Sequence, residues 1–184
     1  MEITANEYFE RQRINKYLSA LIIIFAGIVP IGSYAFSYYL FFSNFKHPYL
    51  TKEVTMFYVS GVVVILLSLF VVFLFLSLKL ELGINSQCIV FRLFPFHRKF
   101  RKIPFSEIRH YTIRKFSPLL EYGGWGIRYS TKRNGIGYTI SGKYGLQLEL
   151  ISNKRLLIGT KSPDKVLEYL KLYAPEKYVE KRIE

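Results

Sequence analysis

Few side chains in this sequence are of a type that performs covalent or metal chemistry, and their spacing keeps them apart. Cys88 is the one cysteine, which excludes an internal disulfide framework and every multi-cysteine zinc pattern. The three histidines are His47, His97 and His110. None stands at i, i+4 from another or in an H-E-x-x-H frame. Glu107, Glu121 and Glu149 each stand alone in sequence. The chain has no P-loop, no G-x-S-x-G, no dinucleotide fingerprint and no calcium loop. "GGWGIR" lacks the G-K-[ST] end of a phosphate loop. No catalytic residue, metal or cofactor is therefore assigned, and an enzyme is not expected.

Binding chemistry is better represented. The run "FRLFPFHRKFRKIPF" interleaves Arg92, Arg98, Lys99, Arg101 and Lys102 with Phe91, Phe94, Phe96, Phe100 and Phe105. Basic residues beside an anionic leaflet contribute about 1 kcal/mol each. Arg98, Lys99, Arg101 and Lys102 are thus candidate contacts for anionic lipid. The competing reading is that these charges only set topology and solubility. Nucleic acid is disfavoured, because a positive-inside bias already accounts for the excess of bases.

"EYGGWGIRYS" is the second notable stretch, with a glycine pair before the only tryptophan. As a strand it would place Trp125, Ile127 and Tyr129 on one face and Gly126, Arg128 and Ser130 on the other. Gly123 and Gly124 would permit positive φ or a bulge at its entrance. The first reading is a turn that delivers Trp125 into the core. The second is a groove lined by Gly123 and Gly124, with Trp125 and Arg128 on its rim.

The elements that hold these residues fall into two regimes. The chain has 184 residues and a formal net charge of +13. From Lys79 onward there are 21 Lys/Arg against nine Asp/Glu, so nearly all of that charge lies in the second half. Residues 57–78 form an uncharged run of about 33 Å as a helix, enough for a hydrocarbon core of about 30 Å. Residues 17–43 form a softer uncharged run containing Gly27, Pro30 and Gly32. A cleaved signal peptide fails on length and on the charge-balanced residues before it. The expected layout is an N-terminal segment 1–16, spans 17–43 and 57–78, a short external loop 44–56, a β domain 79–175 and a charged tail 176–184. The positive-inside rule then puts both termini in the cytoplasm of a cell with the spans in its cytoplasmic membrane.

Beyond Lys79 the period becomes two. "KLELGI" turns Lys79 and Glu81 outward, and "QCIVFRLF", "SEIRHYTIRK", "GLQLEL" and "RLLIGT" follow as strands. Asn134-Gly135 is a strong short hairpin signal. Ser162 is an expected N-cap, with Pro163 at the first helical position, Asp164 in the first turn and an apolar stripe of Val166, Leu167, Leu170 and Tyr173. Successive hairpins with one closing helix argue an antiparallel sheet folded on itself.

Two spans followed by "PFSEIRHYTI", "YGGWGIR", "SGKYGLQLEL" and "KRLLIGTKSP" before a helix resemble bacterial pleckstrin-homology-like domains fused to a two-helix transmembrane hairpin. The resemblance covers the C-terminal half of the chain. It implies a membrane α-helical hairpin plus a mainly-β PH-like domain of two near-orthogonal antiparallel sheets and a C-terminal capping helix. It implies no agreed catalytic activity. "RKFRK" resembles part of the eukaryotic lipid-binding signature, but phosphoinositide binding is not carried across.

Two function classes follow. One is a membrane-anchored PH-like binding or scaffold module at the cytoplasmic leaflet, engaging a protein partner, a second copy of itself or anionic headgroups. The other is an accessory subunit of a membrane enzyme or transporter, with Arg128 or Arg155 as charge partners for a substrate. The absence of charge inside either run weakens transport. Topology gives the first prediction. On intact cells a membrane-impermeant thiol reagent should label a cysteine placed at Asn44 and leave Cys88 and a cysteine placed at Lys132 unlabelled. Strong labelling at Lys132 would reverse the orientation.

Overall fold

The computed structural model describes residues 7–44 and 51–179. It contains two compact units. One is the helical stretch Ile14–Ser77, and the other joins the chain before it to the chain after it.

The helical unit starts at α1 (Lys16–Ile22), where the Asn15 side chain accepts from the Tyr17 N–H. A π-helical stretch, Ile23–Ile28, leads into α2 (Val29–Asn44). Pro30 explains the widened turn. A proline ring collides with the carbonyl four residues back and donates no hydrogen bond. Here the Val29 N–H reaches back five residues, to the Ile24 carbonyl, and the wider turn absorbs the misfit. Helix α3 (Thr51–Leu76) packs antiparallel on this element through small residues. A Cβ at Gly61 would meet the Tyr34 ring at 2.6 Å, and one at Gly27 would touch Val72. The Tyr34 hydroxyl donates to the Phe57 carbonyl. Small residues that admit close approach are the usual packing device of apolar helices. Lys16–Leu40 and Val54–Leu76 are both long and apolar enough to cross a membrane. Compared with the expected layout, α3 begins earlier, at Thr51, inside the expected loop, and Leu78 falls in the β-rich unit. Residues 45–50 of that loop lie outside the described residues.

The β-rich unit has two sheets. The first runs β1 (Tyr8–Arg13), β2 (Lys79–Ile84), β3 (Cys88–Phe94), β4 (Arg101–Pro104), all antiparallel neighbours. The second contains β5 (Ile108–Lys115), β6 (Gly126–Tyr129), β7 (Ile136–Thr139), β8 (Tyr144–Leu150) and β9 (Arg155–Thr160), in the order β5-β8-β9-β7-β6. Short helix α4 (Pro118–Tyr122) precedes β6, and α5 (Pro163–Tyr173) follows β9. Leu80, Leu82, Ile89, Phe91 and Leu93 of the first sheet and Leu146, Leu148 and Ile158 of the second are buried, with Val166 and Leu170 of α5.

Strand β1 corrects the expected layout, which gave residues 1–16 no part in the β domain. Its inward positions are Tyr8, Glu10 and Gln12, and two of the three are polar, so alternation of hydrophobicity is absent. Both polar side chains make specific hydrogen bonds instead. Glu10 accepts from the Thr160 hydroxyl at 2.6 Å and from the Lys161 N–H at 2.7 Å. Gln12, 1% exposed, donates to the Gly159 carbonyl at 2.7 Å.

Three further expectations change. The second sheet is not wholly antiparallel, because β9 inserts between β7 and β8 and runs parallel to β7. The four residues Ile140–Lys143 between β7 and β8 splay those strands apart instead of pairing them. Asn134-Gly135 does not make a two-residue turn. The connection spans 130–135, with Arg133 and Gly135 at positive φ, and closes from the Ser130 N–H to the Gly135 carbonyl. A Cβ at Gly135 would run into the Arg155 carbonyl. The tail joins the domain earlier than 180. The Lys177 ammonium donates to the Phe105 and Ile108 carbonyls, and the Val179 N–H to the Tyr111 carbonyl. Residues 180–184 lie outside the described residues. At α5, Ser162 holds the N-cap position without a side-chain bond, and its own N–H goes to Thr160 Oγ1.

Glu81 was expected in solvent, yet it is 1% exposed. Register explains this. Arg11, Glu81 and Arg92 are successive cross-strand neighbours on β1, β2 and β3. Arg11 Nε donates to one carboxylate oxygen at 2.7 Å, and Arg92 Nε to the other at 2.7 Å. Removing one partner of a buried ion pair costs about 3–5 kcal/mol, because the remaining charge stays out of water. Arg11 is half exposed, whereas the Arg92 side chain is largely covered. Arg92→Ala should therefore lower stability by about 3 kcal/mol, and Arg11→Ala by clearly less, in thermal unfolding of the full chain in detergent. Equal effects would remove Glu81 as the tie between strands.

Candidate functional site

The basic run folds as the end of β3, a turn over 95–100, and β4. Its position follows from register. Arg13 pairs with Lys79, and Lys79 pairs with Phe94. The turn therefore leaves the first sheet at the same end as the chain that enters and leaves the helical stretch. Lys79 Nζ lies 6.0 Å from the centroid of the Phe94 ring. Arg98, Lys99, Arg101 and Lys102 are all exposed. They do not form one face. Arg98 and Lys99 belong to the turn, while Arg101 and Lys102 alternate across β4.

Arg101 Nη1 donates to the Tyr138 hydroxyl at 2.9 Å, which ties the start of β4 to β7. His97 stacks beside the same ring at 5.6 Å between centroids. Burial lowers its pKa, and the neighbouring Arg101 charge lowers it further. Arg92 lies over the Phe100 ring at 4.5 Å. Phe96 is 57% exposed. The surface thus offers cations and an aromatic ring to the same surroundings. On the outer side of the first sheet, Phe9, Gly83, Val90 and Phe100 line a cavity of about 240 Å³, with Arg11 and Arg92 at its side.

The glycine–tryptophan segment is built differently from the core expectation. Ser117 caps α4 by accepting from the Leu120 N–H. Gly123, at φ 66°, ends it, and the N–H groups of Gly123 and Gly124 return to the Leu119 and Pro118 carbonyls. This is a helix stop that needs left-handed backbone. The aromatic it delivers inward is Tyr122, 3% exposed, not Trp125, 38% exposed. Tyr122 packs perpendicular to Phe116, with Leu157 completing the cluster. Gly137 makes room, since a Cβ there would meet the Tyr122 ring at 2.8 Å. The core reading of Trp125 is thereby overturned, because the helix turn rotates the preceding aromatic onto the sheet. A Cβ at Gly123, Gly124 or Gly126 would meet nothing within 4 Å, and Arg128 is exposed.

A polar network missed by the sequence reading lies beside this cluster. Arg114 donates to Glu121 at 2.8 Å, to Gln147 at 3.1 Å and to the Tyr122 hydroxyl at 3.2 Å. Asn134 Nδ2 donates to Glu121 at 3.2 Å, and the Ser117 N–H donates to it at 2.9 Å. Burial pushes the Glu121 carboxyl up, but the Ser117 amide, Arg114 and Asn134 outweigh it and hold its pKa below the ordinary value. Asn134 serves this network, which is why it does not head a tight turn. The only signal was polar residues at alternating strand positions, which read equally as solvent-facing. Glu149 pairs with Arg155 at 3.4 Å and with Arg109 at 3.8 Å, so Arg155 is not left free for a substrate. No group of three metal-ligating side chains occurs among the described residues. No family model and no curated protein matches the chain.

Aromatic-to-alanine changes separate the two rings. Tyr122→Ala should cost about 3 kcal/mol, the scale of an emptied aromatic site, and Trp125→Ala less than about 1 kcal/mol, as for a surface change. Denaturant unfolding of the full chain in detergent reads both. A larger loss at Trp125 than at Tyr122 would reverse the assignment.

Proposed function

We propose that the protein is a membrane-anchored binding module whose PH-like β domain meets anionic headgroups at the cytoplasmic leaflet. Support for the anchor is the pair of long apolar helices, whose outward side chains, among them Val62, Leu66, Phe70 and Phe73, are more than half exposed. Hydrocarbon is the solvent that suits such a surface. Support for the PH-like reading is a four-stranded antiparallel sheet, a second sheet containing the β5, β8 and β9 strands, and a following amphipathic helix, with α4, β6 and β7 as an addition between β5 and β8.

The observation that carries the headgroup reading is the cross-strand row Arg13, Lys79, Phe94. Two residues join Arg13 to α1, and two join α3 to Lys79. Each connection spans at most about 10 Å. The end of the first sheet that bears the basic turn is thus the end tethered to the helices. Each base that reaches the headgroups contributes about 1 kcal/mol, screened by salt over about 10 Å at 0.1 M.

Native mass spectrometry of the full chain, extracted from bilayers of mixed anionic and zwitterionic lipid, tests this. The unmodified protein should retain anionic lipid selectively. Arg98, Lys99, Arg101 and Lys102 changed together to Gln should lose most of it. Lys115, Lys154, Lys165 and Lys171 changed together to Gln should not. Equal loss in both variants would mean bulk charge without a site, and no selectivity in the unmodified protein would end the headgroup reading.

A further inference from the structure

Strand β6 is an edge of the second sheet, and Trp125 just before it and Ile127 and Tyr129 within it reach solvent. Trp125 and Ile127 are 38% and 37% exposed, and Tyr129 is 78% exposed. An edge strand of this kind is normally blunted by charge, proline or a covering element. Here Arg128 is the one charge on the strand, and the acid that precedes it in sequence, Glu121, is tied to Arg114. Isolated apolar side chains on a surface need no explanation, but a cluster does.

Two further facts locate and characterise the cluster. Ile127 is the cross-strand partner of Tyr138, and Tyr129 of Ile136, so Ile127 and Tyr129 share the face of Tyr138. That is the ring held by Arg101 and flanked by His97. The apolar edge therefore lies one strand away from the ring that Arg101, at the start of β4, holds. The charge around both is of one sign. Residues 83–106 contain five Lys/Arg and residues 122–148 contain four, and neither segment contains an acid. Tryptophan and tyrosine among bases match the headgroup layer, where amphipathic rings and cations are both stabilised.

We infer that Trp125, Ile127 and Tyr129 form a second membrane contact, an apolar wedge on the β6 edge that enters the interface of an anionic bilayer beside the basic turn. The inference rests on the headgroup reading above and extends it. The turn supplies long-range attraction, and the wedge supplies depth and a fixed orientation of the domain. A protein partner or a second copy would be drawn to the same apolar edge, but a positively charged surround disfavours a second copy of itself.

Trp125 is the only tryptophan in the chain, so its emission reports this surface alone. The full chain is reconstituted in phosphatidylglycerol-containing vesicles, with a fraction of lipid brominated at a chosen depth. Emission should shift to the blue relative to protein in vesicles of zwitterionic lipid at high salt. Bromine about 5–10 Å below the headgroups, where interfacial rings sit, should quench most of it, and bromine at the bilayer centre should quench less. Ile127→Ser with Tyr129→Ser should weaken the quenching while circular dichroism stays unchanged. Emission typical of water, unquenched at either depth, overturns the wedge. Blue emission that is unquenched and grows with protein-to-lipid ratio also overturns it, in favour of contact between copies. Flotation of the same vesicles at high salt tests the anchor, and lipid selectivity tests the turn. A chain that floats and selects anionic lipid with Trp125 unquenched therefore removes the wedge alone, and one that fails to float removes the reading beneath it.

Discussion

The β-rich unit depends on pairing β1 with β2 across the helical stretch that separates them. Arg13 and Lys79 are neighbours in space, with residues 14–78 between them in sequence. For a flexible chain, closing so long a loop carries an entropic cost that grows with its logarithm. Here the loop is itself folded. Gly27 sits by Val72 and Tyr34 by Gly61, so the helices run back along each other and return the chain to the end where it left. Glu81 then holds the pairing laterally, with one arginine from each neighbouring strand.

Depth of burial gives this charge its structural weight. In water such a pair contributes little. With Glu81 nearly inaccessible, the carboxylate needs both oxygens satisfied, and the two Nε donors do so from opposite sides. The same arrangement recurs on the second sheet, where Arg114 and Glu121 sit beside the Tyr122 cluster with amide groups filling the remaining positions. Each sheet is covered on its outer side by a charged network and aromatic rings, not by a second layer of helices. Phe100 lies under Arg92 on one, and Phe116 and Tyr122 lie over Leu157 on the other.

Three acids of the β-rich unit are engaged by arginines. Glu81 and Glu121 are both committed to arginines, and Glu149 is shared between Arg155 and Arg109. What is left facing outward at the turn and at the β6 edge is one-signed. The small helix stop at Gly123 contributes to this by sending Tyr122 inward and leaving Trp125 at the edge.

Sequence alone determined the apolar helices, the alternating strands β2, β3, β8 and β9, and the closing helix. In each, one physical period dominates: an uncharged run of helical length, a repeat of two, or a stripe along α5. It also marked the basic aromatic turn, because composition survives without knowledge of contacts. Tertiary structure decided everything that rests on register or on a specific polar partner. Strand β1 was invisible because Glu10 and Gln12 point inward to meet Thr160, Lys161 and Gly159. Glu81 read as solvent-facing because its arginines come from other strands. Asn134-Gly135 read as a tight turn because the Glu121 carboxylate that claims Asn134 lies on another element. Trp125 lost the core to Tyr122 for a local reason with a distant cause: a left-handed glycine ends α4 one residue after Tyr122, and Gly137 on another strand leaves the space that ring fills.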